Sequence, residues 1–166
     1  LLRLSPGGIV DRGFGGPAAL ASDVPLAADF SKWQKVPMAL QCDGSLIIAT
    51  PQYASGDSRG TLLERRRPDG SRDDTFAARI AGRVNVLVIE EDGSVLLGGD
   101  FEAAADKPHR NLARIRNPSP ATRSLVRTAT GLRWDRGGAS PEVWRTTFAQ
   151  TLNGIDWLPL GQGRRT

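Results

Sequence analysis

Val84-Asn85-Val86-Leu87-Val88-Ile89, then Glu90-Glu91-Asp92-Gly93-Ser94, then Val95-Leu96-Leu97-Gly98-Gly99: two apolar, β-branched runs flank a polar turn. Runs of this length bounded by turn residues read as a β-hairpin. Gly takes positive φ at no steric cost and the Asp before it can bond to nearby backbone, so Asp92-Gly93 suits the turn. Both alternating faces of the two runs are apolar, whereas a sheet with one wet face alternates apolar with polar. The expectation is a hairpin buried on both sides, as between stacked propeller blades.

The same pattern occurs once before. Asp43-Gly44-Ser45-Leu46-Ile47-Ile48 precedes Asp92-Gly93-Ser94-Val95-Leu96-Leu97 by 49 positions, and Met38-Ala39-Leu40-Gln41-Cys42 supplies the matching first strand. Upstream, Pro6-Gly7-Gly8-Ile9-Val10-Asp11-Arg12-Gly13-Phe14 is echoed 62 positions later by Pro68-Asp69-Gly70-Ser71-Arg72-Asp73-Asp74-Thr75-Phe76. An internal repeat of this size means an array. The offsets differ by 13 residues, which places an insertion in the first copy over residues 15–35, read as a surface loop with a short helical turn around residues 18–21. Short strands before turns recur at Leu2-Arg3-Leu4, Leu62-Leu63 and Leu112-Ala113-Arg114-Ile115, and polar connectors are expected over residues 51–60 and 102–111.

After Pro120 the pattern changes. Ser124-Leu125-Val126-Arg127-Thr128 and Leu132-Arg133-Trp134-Asp135 flank Ala129-Thr130-Gly131, and a second pair of runs, residues 143–149 and 155–160, flanks Leu152-Asn153-Gly154. Each reads as a hairpin, the second with an Asn-Gly turn signal. Three of the four Trp residues fall in this tail, so it is a separate β module or a cap. The units are therefore residues 1–61, a propeller-type repeat with an insertion, 62–117, a second repeat, and 118–166, the C-terminal module.

With 39% hydrophobic residues, 19 Gly and 11 Pro spread along 166 residues, the composition fits many short strands joined by turns. One Cys, Cys42, forms no intrachain disulfide, and with one His, His109, it cannot supply a structural zinc site. No apolar run approaches the roughly 18 to 20 residues of a membrane helix. The opening Leu1-Leu2-Arg3-Leu4 reads as the inside of a strand, which suggests a fragment of a longer protein. The net charge is +4, and the densest basic run, Arg65-Arg66-Arg67, has no aromatic neighbours on which bases would stack. It reads as a solvated strand face rather than a nucleic-acid site, with a polyanionic surface left as a possible partner.

The chain resembles the delta-60 repeat family, bacterial repeats with a β-propeller-like fold. The residues that carry the resemblance are Pro68-Asp69-Gly70-Ser71 with Asp73 and Phe76, then Val86 to Ile89, Asp92-Gly93-Ser94-Val95-Leu96-Leu97-Gly98-Gly99-Asp100-Phe101, and Asn111-Leu112-Ala113-Arg114-Ile115. It covers residues 1–117, more closely in the second copy. The first copy ends in Thr50-Pro51-Gln52-Tyr53 in place of Gly-Gly-Asp-Phe, and Arg66 stands where an apolar strand residue is expected, as in an edge or eroded repeat. The tail is similar to the segment that closes such arrays, and its turn at Leu152-Asn153-Gly154 is similar in spacing to the Asp-box of sialidase-type propellers, with Leu152 at the motif's Asp position. The resemblance implies an extracellular or cell-surface setting and a propeller-type fold, and no reaction.

Candidate sites follow. Asp100 and Asp73, beside Gly-Gly and at a turn, suit a cation or a sugar hydroxyl, against the alternative that each caps its own turn. Glu90-Glu91-Asp92 lacks the spacing of a calcium loop. His109 has no nucleophile beside it in sequence. Trp144 and Trp157 form either an aromatic platform or a core. Asp43, Gly44, Asp69, Gly70, Asp92 and Gly93 are assigned to turns. The sequence thus predicts an all-β chain, a partial propeller-type array followed by a small β module, acting without cofactor or metal as a non-enzymatic binding or structural module toward protein or carbohydrate. The alternative is a carbohydrate-active hydrolase using Asp135, Glu142 or Asp100 near Trp144, a chemistry that needs two carboxyl groups facing each other across a glycosidic bond.

Overall fold

The computed structural model describes residues 3–11, 13–14, 36–53 and 59–165; the insertion over residues 15–35 lies outside them. The fold is all-β with antiparallel pairing. Seven strands, β1 (Met38–Leu40), β2 (Leu46–Tyr53), β3 (Arg59–Arg66), β4 (Arg72–Ile89), β5 (Val95–Ala104), β6 (Lys107–Pro108) and β7 (Leu112–Ile115), form one meandering sheet in which β5 pairs with β6 and β7 at different points along its length. Two hairpins follow, β8 (Ala121–Thr128) with β9 (Gly131–Gly138), and β10 (Thr147–Gln150) with β11 (Leu158–Gln162).

Both sequence offsets reappear as geometry. β2 pairs with β3 from Leu46↔Arg66 to Ala49↔Leu63, and 49 positions later β5 pairs with β7 from Val95↔Ile115 to Gly98↔Leu112 in the same register. Four turns share one design. In each, the first residue's carbonyl accepts from a glycine N–H three positions on, and its own N–H donates to the carbonyl four positions on: Ser5 with Gly8 and Ile9, Gln41 with Gly44 and Ser45, Arg67 with Gly70 and Ser71, Glu90 with Gly93 and Ser94. The four glycines have φ between 77° and 87°, the left-handed conformation that closes a three-residue hairpin loop. Asp43, Asp69 and Asp92 each accept the N–H of the Ser two residues on, at 2.8–2.9 Å. Gly7 stands in the Asp position of the first turn, and there the Ser5 hydroxyl accepts from Ile9 instead.

β4 holds the sheet together. Its first half pairs with β3 and its second with β5, and at 18 residues it would be roughly 60 Å long if straight. Register shifts at Ala81/Gly82 and Val84/Val86 bend it. The bend needs glycine: a Cβ on Gly82 would sit 2.3 Å from the Asp100 carbonyl, and one on Gly99 would sit 2.1 Å from the Arg83 carbonyl. The curled sheet brings β1 against β4 and encloses one core of Ile47, Ala49, Leu63, Phe76, Ala78, Ile80, Val84, Leu87, Ile89, Val95, Leu97 and Phe101. Each large side chain buried there contributes roughly 1.5–3 kcal/mol.

Several expectations change. The hairpin at Val84–Gly99 is covered on one face, since Val86 is 54% and Val88 52% exposed while Val84, Leu87 and Ile89 are buried. Sheet curvature covers the inner face only, and among the described residues no second layer lies over Val86 and Val88. Arg66 is not at an edge, because β3 pairs on both sides; its guanidinium bonds the buried Glu64 at 2.8 Å. The connector at 102–111 holds the end of β5 and β6, joined by Ala105 and Asp106 at φ 49° and 59°, the two positive values of a type I′ turn. Around residues 51–60, β2 and β3 extend to Tyr53 and from Arg59.

The C-terminal module docks by backbone. Gln41 bridges Pro141, Cys42 N–H donates to Ser140 O at 2.8 Å, and Glu142 N–H donates to Leu40 O at 3.0 Å. Ala139 is fully buried against Gly93, so one short segment spans two hairpin turns of the sheet. Arg123 adds an ion pair to Glu91 at 2.6 Å.

Candidate binding site

Asp73 and Asp100, the two aspartates singled out by sequence, lie in different surroundings. Asp73 is buried in a network that the repeat builds twice. Arg65 is 3% exposed, and its guanidinium donates to Asp73, to Thr75 Oγ1 at 3.0 Å, to Asn117 Oδ1 at 3.0 Å and to Ser119 Oγ at 2.9 Å, while lying over the Phe76 ring. Sixty-two positions earlier, Arg3 bonds Asp11, lies over Phe14 and donates to the Pro68 carbonyl at 2.7 Å. In both copies the carboxylate also accepts a backbone N–H two residues on, from Gly13 or Thr75. Each arginine therefore ties its own turn to the segment just after the next short strand of the repeat, since Pro68 and Asn117 are 49 positions apart. The third arginine in the series, Arg114, has Thr122 where an aspartate would stand, and it turns back to Glu90 and Asp92.

Burial pushes the Asp73 carboxyl up, but hydrogen bonds from the Thr75 hydroxyl and N–H, with those from Arg65, outweigh it and hold its pKa at about 2. Asp11 is also lowered, chiefly by its bond to Arg3. The network satisfies the Arg65 guanidinium and the Asp73 carboxylate while leaving Asn117 Nδ2 without a hydrogen-bond partner among the described residues, and it corrects the reading of Arg65-Arg66-Arg67 as a solvated run: its first member is core. The spacing Arg, Asp eight on, Phe eleven on, present at both Arg3 and Arg65, is the sequence signal that identifies it.

Asp100 is exposed on β5 and accepts from Asn85 Nδ2 at 3.1 Å, away from the other candidates. His109 is exposed, and its backbone N–H donates to Glu102 O. Trp144 and Trp157 are 98% and 63% exposed, so neither is a core residue. In the turn between β10 and β11 it is Asn153, rather than Leu152, that organises the backbone: its Oδ1 accepts the N–H groups of Ile155 and Asp156 at 2.9 Å, and Leu152 points into solvent. Among the described residues no three His, Cys, Asp or Glu side chains gather as a metal site would require. Among them, too, there is no helix long and apolar enough to cross a membrane.

Chemistry-bearing side chains do come together in the C-terminal module. A groove of about 520 Å³ runs between the β8–β9 hairpin, the segment after Pro141 and the residues following β11. It is lined by Trp134 and Trp144, by Asp135 and Glu142, and by Arg133, Arg136, Arg145, Arg164 and Arg165. Both carboxylates are held by arginines of the groove itself, Asp135 by Arg133 at 3.0 Å and Glu142 by Arg165 at 2.6 Å. Arg136 lies over Trp134, 4.8 Å from the ring centre, and donates to the Pro141 carbonyl at 2.7 Å. Asp135 and Glu142 thus share a groove with Trp144, and Asp100 does not join them. The five arginines are dispersed over 33 residues of sequence, and only the docking of the β8–β9 hairpin beside the C-terminal strand assembles them. No family model, curated protein or solved structure matches this chain, so its function is argued from these residues.

Proposed function

We propose that the chain is a non-enzymatic binding module of a secreted or surface protein, in which delta-60-type repeats of a propeller-like array serve as scaffold and the C-terminal groove meets a carbohydrate or protein. The observation that carries this is the groove itself: an indole, that of Trp144, left almost wholly in solvent beside five guanidinium groups. Exposed aromatic surface beside convergent polar groups is what recognition sites are made of. The repeat supports a scaffold role because its recurrent ion pairs, Arg3–Asp11 and Arg65–Asp73, join turns and strands of the sheet to one another.

A hydrolase is the second reading, favoured by Asp135 and Glu142 lining one groove. It is the weaker one, since general acid catalysis asks for a carboxyl group free to give its proton, and both carboxylates are engaged by arginines. The experiment is a glycan and peptide array probed with the chain and with Trp144→Ala, followed by a search for released product from any glycan that binds. A ligand retained intact and lost in the variant supports the module; cleavage of a bound glycan favours the hydrolase; no ligand on the array sinks both.

A further inference from the structure

We propose that the groove takes an acidic polysaccharide, a chain whose sugar rings carry carboxylates; this rests on the binding-module reading and names its ligand. Charge is the first argument. Five arginines face two carboxylates, and those two are matched by Arg133 and Arg165. Arg136 is taken up by Trp134 and a backbone carbonyl. Arg145 and Arg164 have no carboxylate within ion-pair distance among the described residues, so the groove carries surplus positive charge. A guanidinium binds a carboxylate through two parallel hydrogen bonds, which makes a ring-borne carboxylate a fitting partner.

The aromatic residues supply the second argument. With Arg136 over Trp134, Trp144 is the indole left open, and a flat apolar face accepts the C–H face of a pyranose ring as it accepts other apolar surface. The third is the mixture of signs. Asp135 and Glu142 keep lone pairs free to accept sugar hydroxyls even while paired with arginines. A polynucleotide also brings an anion at every step, but it offers those two carboxylates few hydroxyl donors. An acidic peptide offers carboxylates without rings to stack or hydroxyls to donate.

Titration calorimetry of the full chain against oligogalacturonate and oligoglucuronate tests this, with the fully methyl-esterified oligomers, oligo-dT and polyglutamate as comparisons. The expected result is binding of the acidic oligomers that weakens about tenfold or more on esterification, and again in Arg145→Gln/Arg164→Gln, as loss of charge-assisted hydrogen bonds implies. Higher salt weakens it further, and circular dichroism shows the variants folded. Equal binding of the esterified oligomer overturns the acidic class while leaving the module reading intact. Tighter binding of oligo-dT or polyglutamate overturns the sugar. Failure of folded chain to bind either acidic oligomer overturns this inference alone, and the array then decides whether the module reading survives.

Discussion

The repeat sheet and the C-terminal module use the same residue types in opposite ways. In the sheet, Arg65 is buried, Asp73 is paired, and Phe76 lies beneath the guanidinium in the core. In the module, Arg145, Arg164, Trp144 and Trp157 face water. An arginine enclosed by carboxylate, amide, hydroxyl and aromatic groups fixes structure; arginines beside an open indole are available to a ligand. The contrast teaches that neither the count of arginines nor their clustering in sequence tells which of the two a given one does. The densest basic run contains the most structural arginine, and the dispersed ones form the groove.

The sharpest way to break this contrast is to remove Arg65. Arg65→Ala leaves Asp73 buried with only a 3.4 Å contact to Arg67 for charge, deprives Ser119 Oγ of its donor and leaves Asn117 Oδ1 with the Ser119 N–H alone. Breaking a buried pair on one side costs about 3–5 kcal/mol. Arg3→Ala breaks the equivalent pair where side chains are 48% and 34% exposed, so solvent screens it and a much smaller loss is expected. Urea denaturation of the two variants measures both; equal losses would mean the first copy is as enclosed as the second.

How much of this was legible beforehand follows the same line. The two offsets, the four turns and the hairpins of the tail are written in local chemistry, where Asp-Gly and Asn-Gly act within a few residues. The doubly buried hairpin was misread because periodicity records which faces are apolar and carries no record of what covers them: Val86 and Val88 look like Leu87 and Ile89 in sequence. The type I′ turn at Ala105-Asp106 escaped notice because neither residue is glycine or asparagine. The groove depends on contacts such as Cys42 with Ser140, across nearly a hundred residues, and no local pattern announces it.

Acid should separate the two regions with a smaller effect. Asp73 has a pKa of about 2 in the fold, below the ordinary carboxylate value, so its contribution is fully present above about pH 4 and is lost as pH falls through the folded value. That contribution is on the order of 2 kcal/mol. Urea midpoints at pH 5, 3 and 2 should fall, and Asp73→Asn should flatten most of the decline. An unchanged decline in the variant would assign the acid sensitivity to other carboxylates.

The smallest effect is expected where the exposed side chains are largest. Trp144→Ala removes an indole that is 98% exposed and makes no buried contact, so the folded and unfolded states lose nearly the same environment. Stability should stay within about 0.5 kcal/mol of the parent, as for other surface substitutions away from structural features. The same substitution is the one expected to abolish ligand capture, so a single variant separates the two roles. A Trp144 loss comparable to that of Arg65 would place the indole in the architecture of the module, and the distinction between an enclosed sheet and an open groove would fall with it.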